Sequence, residues 1–237
     1  MKNIYSQILE AKANNQKLLA ILIDPDKTRP DQVPALAQKI TDSPATHIFI
    51  GGSTFNGNNL DEIVIAFKEN SNLPVVLFPG HPSQISRHAD GILFLTLLSG
   101  RNPDFLIGHQ VDAIPALLQT HLEIMATGYI LIESGTTTAV ARMSQTTPLD
   151  RNNPEYVVQT ALAGEMLGNK LIYLEAGSGA RLSVPLEMIT LARQNLTVPL
   201  IVGGGIRSTE QIWEAFHAGA DIVVIGTAFE NDNTFFE

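Results

Sequence analysis

Short apolar runs alternate along the chain with longer segments in which apolar residues recur every three or four positions. Runs rich in branched residues and bounded by Gly, Pro or Asp predict β-strands, and runs without polar alternation indicate strands buried on both faces, as in a parallel sheet. Eight such runs predict eight strands, at residues 18–23, 47–50, 75–78, 91–95, 129–132, 171–174, 200–202 and 222–225.

The segments between these runs have the spacing of amphipathic helices. Pro30, Pro154 and Pro185 stand where three of these segments begin, and proline is tolerated in the first helical turn because its missing N–H costs little there. Repeated βα units without a break in composition predict an α/β fold, a single (β/α)8 TIM barrel that forms one domain over residues 1–237. The predicted helices are at residues 30–41, 58–70, 154–167, 185–194 and 209–218.

Some segments depart from the regular barrel. Residues 80–90 alone separate the third and fourth strands, which is near the minimum for a crossover and predicts a short or missing third helix. The chain leaves little room for a helix after the eighth strand. Residues 2–16 are predicted to form an extra N-terminal helix over one mouth of the barrel, and residues 96–122 to hold two short helices rather than one.

The amino-acid composition and net charge exclude several classes of function. The chain has 237 residues, 44% hydrophobic and 16% charged, which is typical of a soluble globular protein. No apolar run could span a bilayer and residues 1–5 begin no secretory signal, so a cytoplasmic location is expected. Without cysteine there is no disulfide, thiolate nucleophile or Cys-based metal site. A net charge of −9 without a basic cluster argues against nucleic-acid binding.

Ionisable and glycine residues stand at the ends of the predicted strands. In (β/α)8 barrels the carboxyl ends of the strands face the active site, so these residues are expected to converge on one rim. Glu175 ends an apolar run, which is an unusual position for a carboxylate, and a glycine-rich loop follows it at once. The other residues of this rim are Asp24, Ser53, Glu133, the glycines at 203–205, Gly226 and Thr227.

Three consecutive strand ends are rich in glycine, at residues 177–179, 203–205 and 226. Barrels commonly bind phosphate after the last strands through main-chain N–H groups and the start of a short helix. The alternative interpretation is that these glycines only form tight turns. Since the net charge is negative, a bound anion would depend on main-chain N–H groups and a metal.

Asp24 is a candidate magnesium ligand. The residue before a proline is held extended, so Pro25 aims the Asp24 side chain, and a carboxylate beside the hydroxyl of Ser53 suits Mg²⁺ when phosphates supply further oxygens. Alternatively, Asp24 and Asp26 are simple loop and cap residues. Lys27 is either a solvated charge or a diphosphate contact.

Other chemistries lack the residues that they need. The six histidines show no zinc-ligand spacing. Ser134 lacks the glycine-flanked turn of a hydrolase nucleophile. Lys170 precedes the sixth strand and would lie at the opposite mouth, so Schiff-base chemistry is not expected.

Several motifs resemble one enzyme family. In chain order they read LIDPDK, IGGST, YLEAGSGA, VGGGIRS and VIGTAFE, and the segment LTLLSGRNPDFLIGHQ is also similar. Together they resemble the geranylgeranylglyceryl phosphate synthase family, with its heptaprenylglyceryl phosphate synthase relatives, over most of the chain. The combination of DPDK with YLEAGSGA is specific to that family, whereas GGGIRS occurs in many phosphate-binding barrels. The short third crossover also resembles the family's modified barrel.

The resemblance implies a Mg²⁺-dependent prenyltransferase. It would join the C3 hydroxyl of sn-glycerol 1-phosphate to a polyprenyl diphosphate, with geranylgeranyl diphosphate as the first candidate, and release diphosphate. Asp24 and Ser53 would bind Mg²⁺. The residues implied to bind glycerol phosphate are Tyr173, Leu174, Glu175, Ala176, Gly177, Ser178, Gly179, Gly204, Gly205, Gly226 and Thr227.

Glu175 is the predicted catalytic residue of this reaction. It would accept the proton of the C3 hydroxyl as general base and stabilise cationic character on the allylic carbon. The alternative is a structural ion pair with Arg181 or Arg207 that orders the loop. Thr227 departs from the family's usual Asn, which puts a side-chain contact to phosphate in doubt, and Leu22 stands where some relatives have Lys.

Two rival functions remain open from the sequence. One is a phosphosugar isomerase or lyase, for which Glu133 would be the second acid/base residue; the other is a non-catalytic barrel that binds a phosphorylated ligand. A homo-oligomer, dimer or hexamer, and a transient contact with a membrane surface are further expectations. Apolar residues that would line a prenyl groove, or simply pack the barrel, are Phe78, Phe94, Leu97, Leu98 and Tyr129.

Overall fold

The computed structural model describes residues 3–52, 59–232 and 234–236. Within them, eight parallel strands pair in chain order, and β1 also pairs with β8, so the sheet closes into a barrel. This confirms the predicted α/β TIM-barrel fold, while the single domain over residues 1–237 stays a prediction. The strands are β1 Leu18–Ile23, β2 His47–Gly52, β3 Val75–Pro79, β4 Gly91–Leu97, β5 Glu123–Leu131, β6 Leu171–Glu175, β7 Leu200–Gly203 and β8 Ile222–Ile225.

Helices surround the barrel, and several begin with the caps that their sequences favour. Asn153 accepts the N–H of Tyr156 ahead of Pro154, and Ser208 accepts the N–H of Gln211. No helix of the described residues has the length and apolar character to cross a bilayer. The helices are α1 Ile4–Ala13, α2 Val33–Thr41, α3 Leu60–Asn70, α4 His109–Leu117, α5 Ala139–Ser144, α6 Pro154–Met166, α7 Leu186–Asn195, α8 Thr209–Ala218 and α9 Thr227–Asn231.

The core has two layers, one inside the barrel and one between the barrel and its helices. Side chains alternate between them along each strand, so Tyr173 lies inside the barrel and Leu174 packs against the helices. Helix α1 contributes to the inner layer through Ile4 and Ile8, and Glu123 at the start of β5 accepts the N–H groups of Ile4 and Tyr5. The predicted N-terminal helix therefore closes the amino-terminal mouth of the barrel.

The prediction that the helix between the third and fourth strands is missing is confirmed, because residues 80–90 form turns rather than a helix. The Gln84 side chain accepts the N–H of Gly80, and Gln84 and Ser86 are buried, so side chains of this loop take the place of a covering helix. The pairing of β3 with β4 is short, with Val76 opposite Gly91 and Leu77 opposite Ile92.

Predictions for the middle of the chain were partly wrong. Residues 96–122 hold one helical stretch rather than two helices, because a π-helical segment, Asp104–Gly108, leads directly into α4. Strand β5 begins at Glu123 rather than at residue 129, since Thr127 and Gly128 interrupt its apolar run. The short helix α5 was not predicted. Its N-cap is Thr138, whose hydroxyl accepts the N–H of Ala141.

Candidate active site

A cavity of about 750 Å³ opens at the carboxyl ends of the strands. Most predicted site residues line it, and they come from β1, β6, β7, β8 and the loops that follow them. Ser53, a predicted metal ligand, lies outside the described residues. The predicted residues that line the cavity are Asp24, Tyr173, Glu175, Gly177, Ser178, Gly179, Gly204, Gly205, Gly226 and Thr227.

Leu174 and Ala176, both predicted to bind substrate, do not line the cavity. Leu174 faces the helices because its neighbours Tyr173 and Glu175 face inward. Ala176 is fully buried, and its N–H donates to the carbonyl of Gly203 at 3.0 Å. The structure therefore places these two residues in the support of the site rather than on its surface.

Glu175 is a buried carboxylate at the end of β6, with 4% of its surface exposed. Its Oε1 accepts the N–H of Gly177 at 2.5 Å. Burial raises the pKa of Glu175 to about 7, and the Tyr173 hydroxyl and the Gly177 N–H act in the opposite direction. A carboxyl group with a pKa near neutrality can accept a proton from a substrate and release it again at physiological pH.

Gly203 gives the Glu175 carboxylate its space. A Cβ at this position would lie 2.4 Å from the Tyr173 hydroxyl oxygen and 3.1 Å from Glu175 Oε2. The hydroxyl and the carboxylate therefore meet beside a strand end that must lack a side chain. The sequence marked the glycines at residues 203–205 for phosphate binding, but it did not show that Gly203 also accommodates the base.

Tyr173 stands beside this carboxylate inside the barrel. Its ring stacks on Phe78 at 5.4 Å and meets Tyr129 edge-on at 5.4 Å. Burial, and to a smaller extent the nearby Glu175, raises the pKa of Tyr173 well above its usual value, so its hydroxyl stays protonated. Among the described residues this buried hydroxyl makes no hydrogen bond of good geometry. A hydroxyl group of a bound ligand would satisfy it.

The glycine-rich loops present main chain to the cavity. Gly177 and Gly179 have φ values of 101° and 72°, and Gly204 and Gly205 have 81° and 70°, a region that other residues adopt only with strain. Successive main-chain N–H groups in such turns form concave anion sites. Because these loops line the cavity, their position favours the phosphate-site interpretation over tight turns alone.

The arginines near Glu175 do not neutralise it. In the described part of the chain Glu175 has no ion pair with Arg181 or Arg207. Arg207 instead donates to the Ala180 carbonyl at 2.8 Å, and Arg142 donates to the Thr137 carbonyl at 2.8 Å. The alternative of a structural ion pair at Glu175 is therefore not supported.

Asp24 has the chemistry of a cation ligand. Its Oδ2 lies 2.8 Å from the Lys27 ammonium, and its Oδ1 accepts the N–H of Asp26 at 3.1 Å. A lysine ammonium thus already stands where a metal ion would bind the carboxylate. Residues 3–52, 59–232 and 234–236 contain no cluster of three or more His, Asp or Glu suited to a metal. A Mg²⁺ ion at Asp24 would depend on oxygens from other groups, and Mg²⁺ tolerates this because it often binds through phosphates and water.

Apolar residues of β3, β4, β5 and α4 also line the cavity. Phe78, Phe94, Leu97 and Tyr129 line it as the sequence suggested, whereas Leu98 packs against the helices instead. Other residues of this site were missed because no sequence pattern marked them, most of all those from α5 and from the loop that replaces the third helix. The missed lining residues include Gly80, His81, Phe105, His109, Arg142 and Glu230.

These features define a (β/α)8 barrel with a buried carboxylate beside glycine-rich loops that line a cavity. The family model described as the PcrB family matches residues 9–236, and the chain belongs to that family. The resemblance noted in the sequence is thereby confirmed.

Named relatives agree with this assignment. The chain is 60% identical to geranylgeranylglyceryl phosphate synthase of Flavobacterium johnsoniae, over 100% of this chain and 98% of that protein. It is 49% identical to the enzyme of the same name from Zunongwangia profunda, over 98% of each chain. The crystal structure of (S)-3-O-geranylgeranylglyceryl phosphate synthase from Thermoplasma acidophilum in complex with sn-glycerol 1-phosphate superimposes with a TM-score of 0.94. It has 32% identity and covers 99% of this chain and 95% of that one.

Proposed function

We propose that this protein is a prenyltransferase that joins the C3 hydroxyl of sn-glycerol 1-phosphate to a polyprenyl diphosphate, with geranylgeranyl diphosphate as the first candidate. Family membership and the names of close relatives support the activity, and the relative bound to sn-glycerol 1-phosphate supports the acceptor. The observation that supports this chain's own catalytic competence is the placement of Glu175, a carboxylate buried at the edge of the cavity beside the glycine-rich loops, where burial raises its pKa to about 7.

The acceptor would be held mainly by the main chain. The loops at residues 177–179, 204–205 and 226–227 line the cavity and offer neutral N–H groups. Neutral donors suit this position because a Lys or Arg there would pair with Glu175 and lower its basicity. The Tyr173 hydroxyl stands beside the Glu175 carboxylate without a hydrogen bond of good geometry, and it would hydrogen-bond to a glycerol hydroxyl there. Thr227 begins α9 and would contribute its N–H and hydroxyl.

The reaction forms one bond and breaks one. The oxygen on glycerol C3 bonds to the allylic C1 of the prenyl chain, the C1–O bond to diphosphate breaks, and Glu175 accepts the C3 hydroxyl proton. Mg²⁺ held by Asp24 and Ser53 would neutralise the departing diphosphate. The Glu175 carboxylate, buried and close to the reacting carbon, would also favour positive charge developing there. The apolar residues of β3, β4, β5 and α4 that line the cavity would take the prenyl chain.

The alternative function, a phosphosugar isomerase or lyase, lacks its second acid/base residue in the cavity. Glu133 does not line the cavity, and its Oε1 accepts the N–H of Gly135 at 2.6 Å. N-acetylmannosamine-6-phosphate 2-epimerase of Clostridium perfringens matches with a TM-score of 0.52 and 15% identity, a likeness of fold alone. A non-catalytic phosphate-binding barrel would have no need of a base with a raised pKa, and the transfer assay separates it from an enzyme.

We further propose self-association through the outer face of α4. Ile107, Val111, Ile114 and Leu118 lie on one side of this helical stretch with 61%, 60%, 44% and 81% of their surfaces exposed. An apolar stripe of this kind favours a protein contact, here a second copy, and a dimer is the simplest closed assembly. We also propose one domain, a cytoplasmic location and a transient membrane-surface contact when the lipid product leaves.

The activity is tested by transfer of label into a lipid phase. Protein, Mg²⁺ and radiolabelled sn-glycerol 1-phosphate are incubated with farnesyl, geranylgeranyl or heptaprenyl diphosphate in turn, and butanol extracts are counted. We expect label in butanol with geranylgeranyl diphosphate, and at least a roughly hundredfold loss in Glu175→Gln because a general base contributes about that much. Glu133→Gln is the matched control and keeps the activity. No transfer with any diphosphate contradicts the proposal.

A further inference from the structure

Asp24 and Lys27 form a pre-built ion pair at the end of β1. The main-chain N–H groups of Lys27 and Thr28 both donate to the Asp24 carbonyl at 3.1 Å, which closes the turn and brings the two side chains together. Lys27 Nζ then lies 2.8 Å from Asp24 Oδ2. The Lys27 side chain is 60% exposed, against 27% for Asp24, so the ammonium has room to move while the carboxylate is fixed.

A second carboxylate stands next to this pair. Glu230 lies on α9, which follows β8, and β8 is the neighbour of β1 in the barrel. Glu230, Lys27 and Asp24 all line the same cavity, so the Glu230 carboxylate faces the space that the ion pair occupies. Burial raises the pKa of Glu230, while the charge of Lys27 and the main-chain N–H of Asp24 lower it. Lys39 fixes the helix, since its ammonium donates to the Phe229 carbonyl and lies 4.3 Å from the Phe229 ring centre.

The charges of this corner matter for cation binding. Asp24, Glu230 and Asp232 line the cavity with carboxylates and Lys27 supplies an ammonium, while the charge of Lys39 acts on Glu230 and Asp232. A divalent cation on the Asp24 carboxylate would lie a few Å from that ammonium, and like charges at such distances repel by roughly 1 kcal/mol or more even in water. Lysine is a point charge on a flexible stem, so it can move to a neighbouring carboxylate.

We propose that Lys27 is the built-in counter-cation of Asp24, that it leaves this carboxylate when a divalent cation binds there, and that Glu230 receives it. This role rests on the proposed function, in which Asp24 is a metal ligand. Lys27 therefore competes with the metal in the free enzyme. Glu230 is a positioning residue, which acts on the metal through Lys27 rather than as a ligand.

The first test measures metal binding rather than activity. Mn²⁺ serves as the probe, and free Mn²⁺ is counted by electron paramagnetic resonance with the full-length protein in the absence of substrates. We expect Lys27→Met to bind Mn²⁺ roughly fivefold more tightly than the wild type, because a competing charge is removed. Lys68→Met is the matched control. Lys68 Nζ lies 2.7 Å from Asp90 Oδ1, and neither residue lines the cavity. Its replacement breaks this ion pair and should leave the Mn²⁺ affinity unchanged. A Lys27→Met protein that binds no more tightly overturns the proposal.

The second test separates Glu230 as a receiver of Lys27 from Glu230 as a ligand. Glu230→Gln is expected to weaken Mn²⁺ binding roughly twofold to threefold, because Lys27 then stays on Asp24. In a Lys27→Met background the same substitution should have no effect. An equal loss in both backgrounds means that Glu230 acts directly on the metal, and this overturns its assigned role.

A third variant distinguishes the inference from the proposed function. Asp24→Asn is expected to abolish Mn²⁺ binding at this site in every background. Binding that survives in Asp24→Asn would show that the metal lies elsewhere, so the metal site of the proposed function would fail together with the inference. Binding that needs Asp24 but ignores Lys27 overturns the inference alone. Thermal unfolding of each variant verifies that it is folded.

Discussion

Gly204 packs directly against the Glu175 carboxylate and leaves no space for a side chain between them. A Cβ on Gly204 would lie 2.2 Å from Glu175 Oε1 and 2.5 Å from the main-chain nitrogen of Gly177. The glycine loop after β7 and the Glu175 carboxylate at the end of β6 therefore form one packed unit. In the proposed function, the loop that would hold the phosphate also fixes the carboxylate that would receive the proton.

This contact predicts a large effect of Gly204→Ala. Its φ of 81° already disfavours alanine, and the new methyl group would press on main-chain atoms that cannot move aside. We expect a loss of roughly 3 kcal/mol of stability and of most transfer activity. Gly179→Ala is the control, because its φ is 72° and nothing lies within 4 Å of the added atom. It should cost only about 1 kcal/mol. If urea unfolding shows the same loss of stability for Gly204→Ala and Gly179→Ala, the steric clash of the added methyl group at residue 204 is not the cause.

Glu175 also predicts how stability depends on pH. Burial raises the pKa of this carboxyl from 4.5 to about 7, so the folded state favours the protonated form. Its contribution is therefore most favourable below pH 4.5 and is lost as the pH rises through 7. Relative to Glu175→Gln, the wild type should lose about 3 kcal/mol across this window. Urea unfolding at several pH values measures the difference. A difference between the wild type and Glu175→Gln that does not change with pH would contradict the prediction.

Much of the fold could be predicted because strand burial leaves a strong local signal. All eight strands follow apolar runs, and the missing third helix follows from the shortness of residues 80–90. Helix α5 could not be predicted, since it is short and is stabilised by a cap at Thr138 and by packing of that cap against Gly177. Such tertiary contacts have no periodicity in the sequence.

The candidate site, like the fold, could be predicted from the sequence only in part. Asp24, Glu175 and the glycine loops could be located from the sequence because strand ends converge in a barrel. The exclusion of Leu174 and Ala176 from the cavity needed side-chain direction and main-chain hydrogen bonds. Glu230 lies in the motif VIGTAFE, but only the closure of β8 onto β1 brings it near Asp24.

Tyr173→Phe is predicted to move the pH dependence of transfer. The Tyr173 hydroxyl lowers the pKa of Glu175, so its removal should raise that pKa and shift the acid limb of kcat/KM upward from about pH 7. We expect the acid midpoint of Tyr173→Phe to lie at a higher pH than that of the wild type. Tyr129→Phe removes a hydroxyl from the same cavity without altering the Glu175 carboxyl, and should leave the midpoint in place. Because a phosphate ester also titrates near pH 6, the variants are compared with one substrate. Equal shifts in both variants would disprove a specific role of Tyr173.

The outer face of α4 predicts the assembly state. Val111 is 60% exposed at the centre of the apolar stripe, so Val111→Asp should place a charge in the proposed contact between two copies. A buried unpaired charge is strongly unfavourable, and the variant is expected to sediment as a monomer where the wild type sediments as an oligomer. Met166→Asp on α6 is the control, because Met166 is 83% exposed and lies away from this stripe. Sedimentation velocity at several concentrations decides the question. If Met166→Asp dissociates the assembly and Val111→Asp does not, the contact lies on a different face.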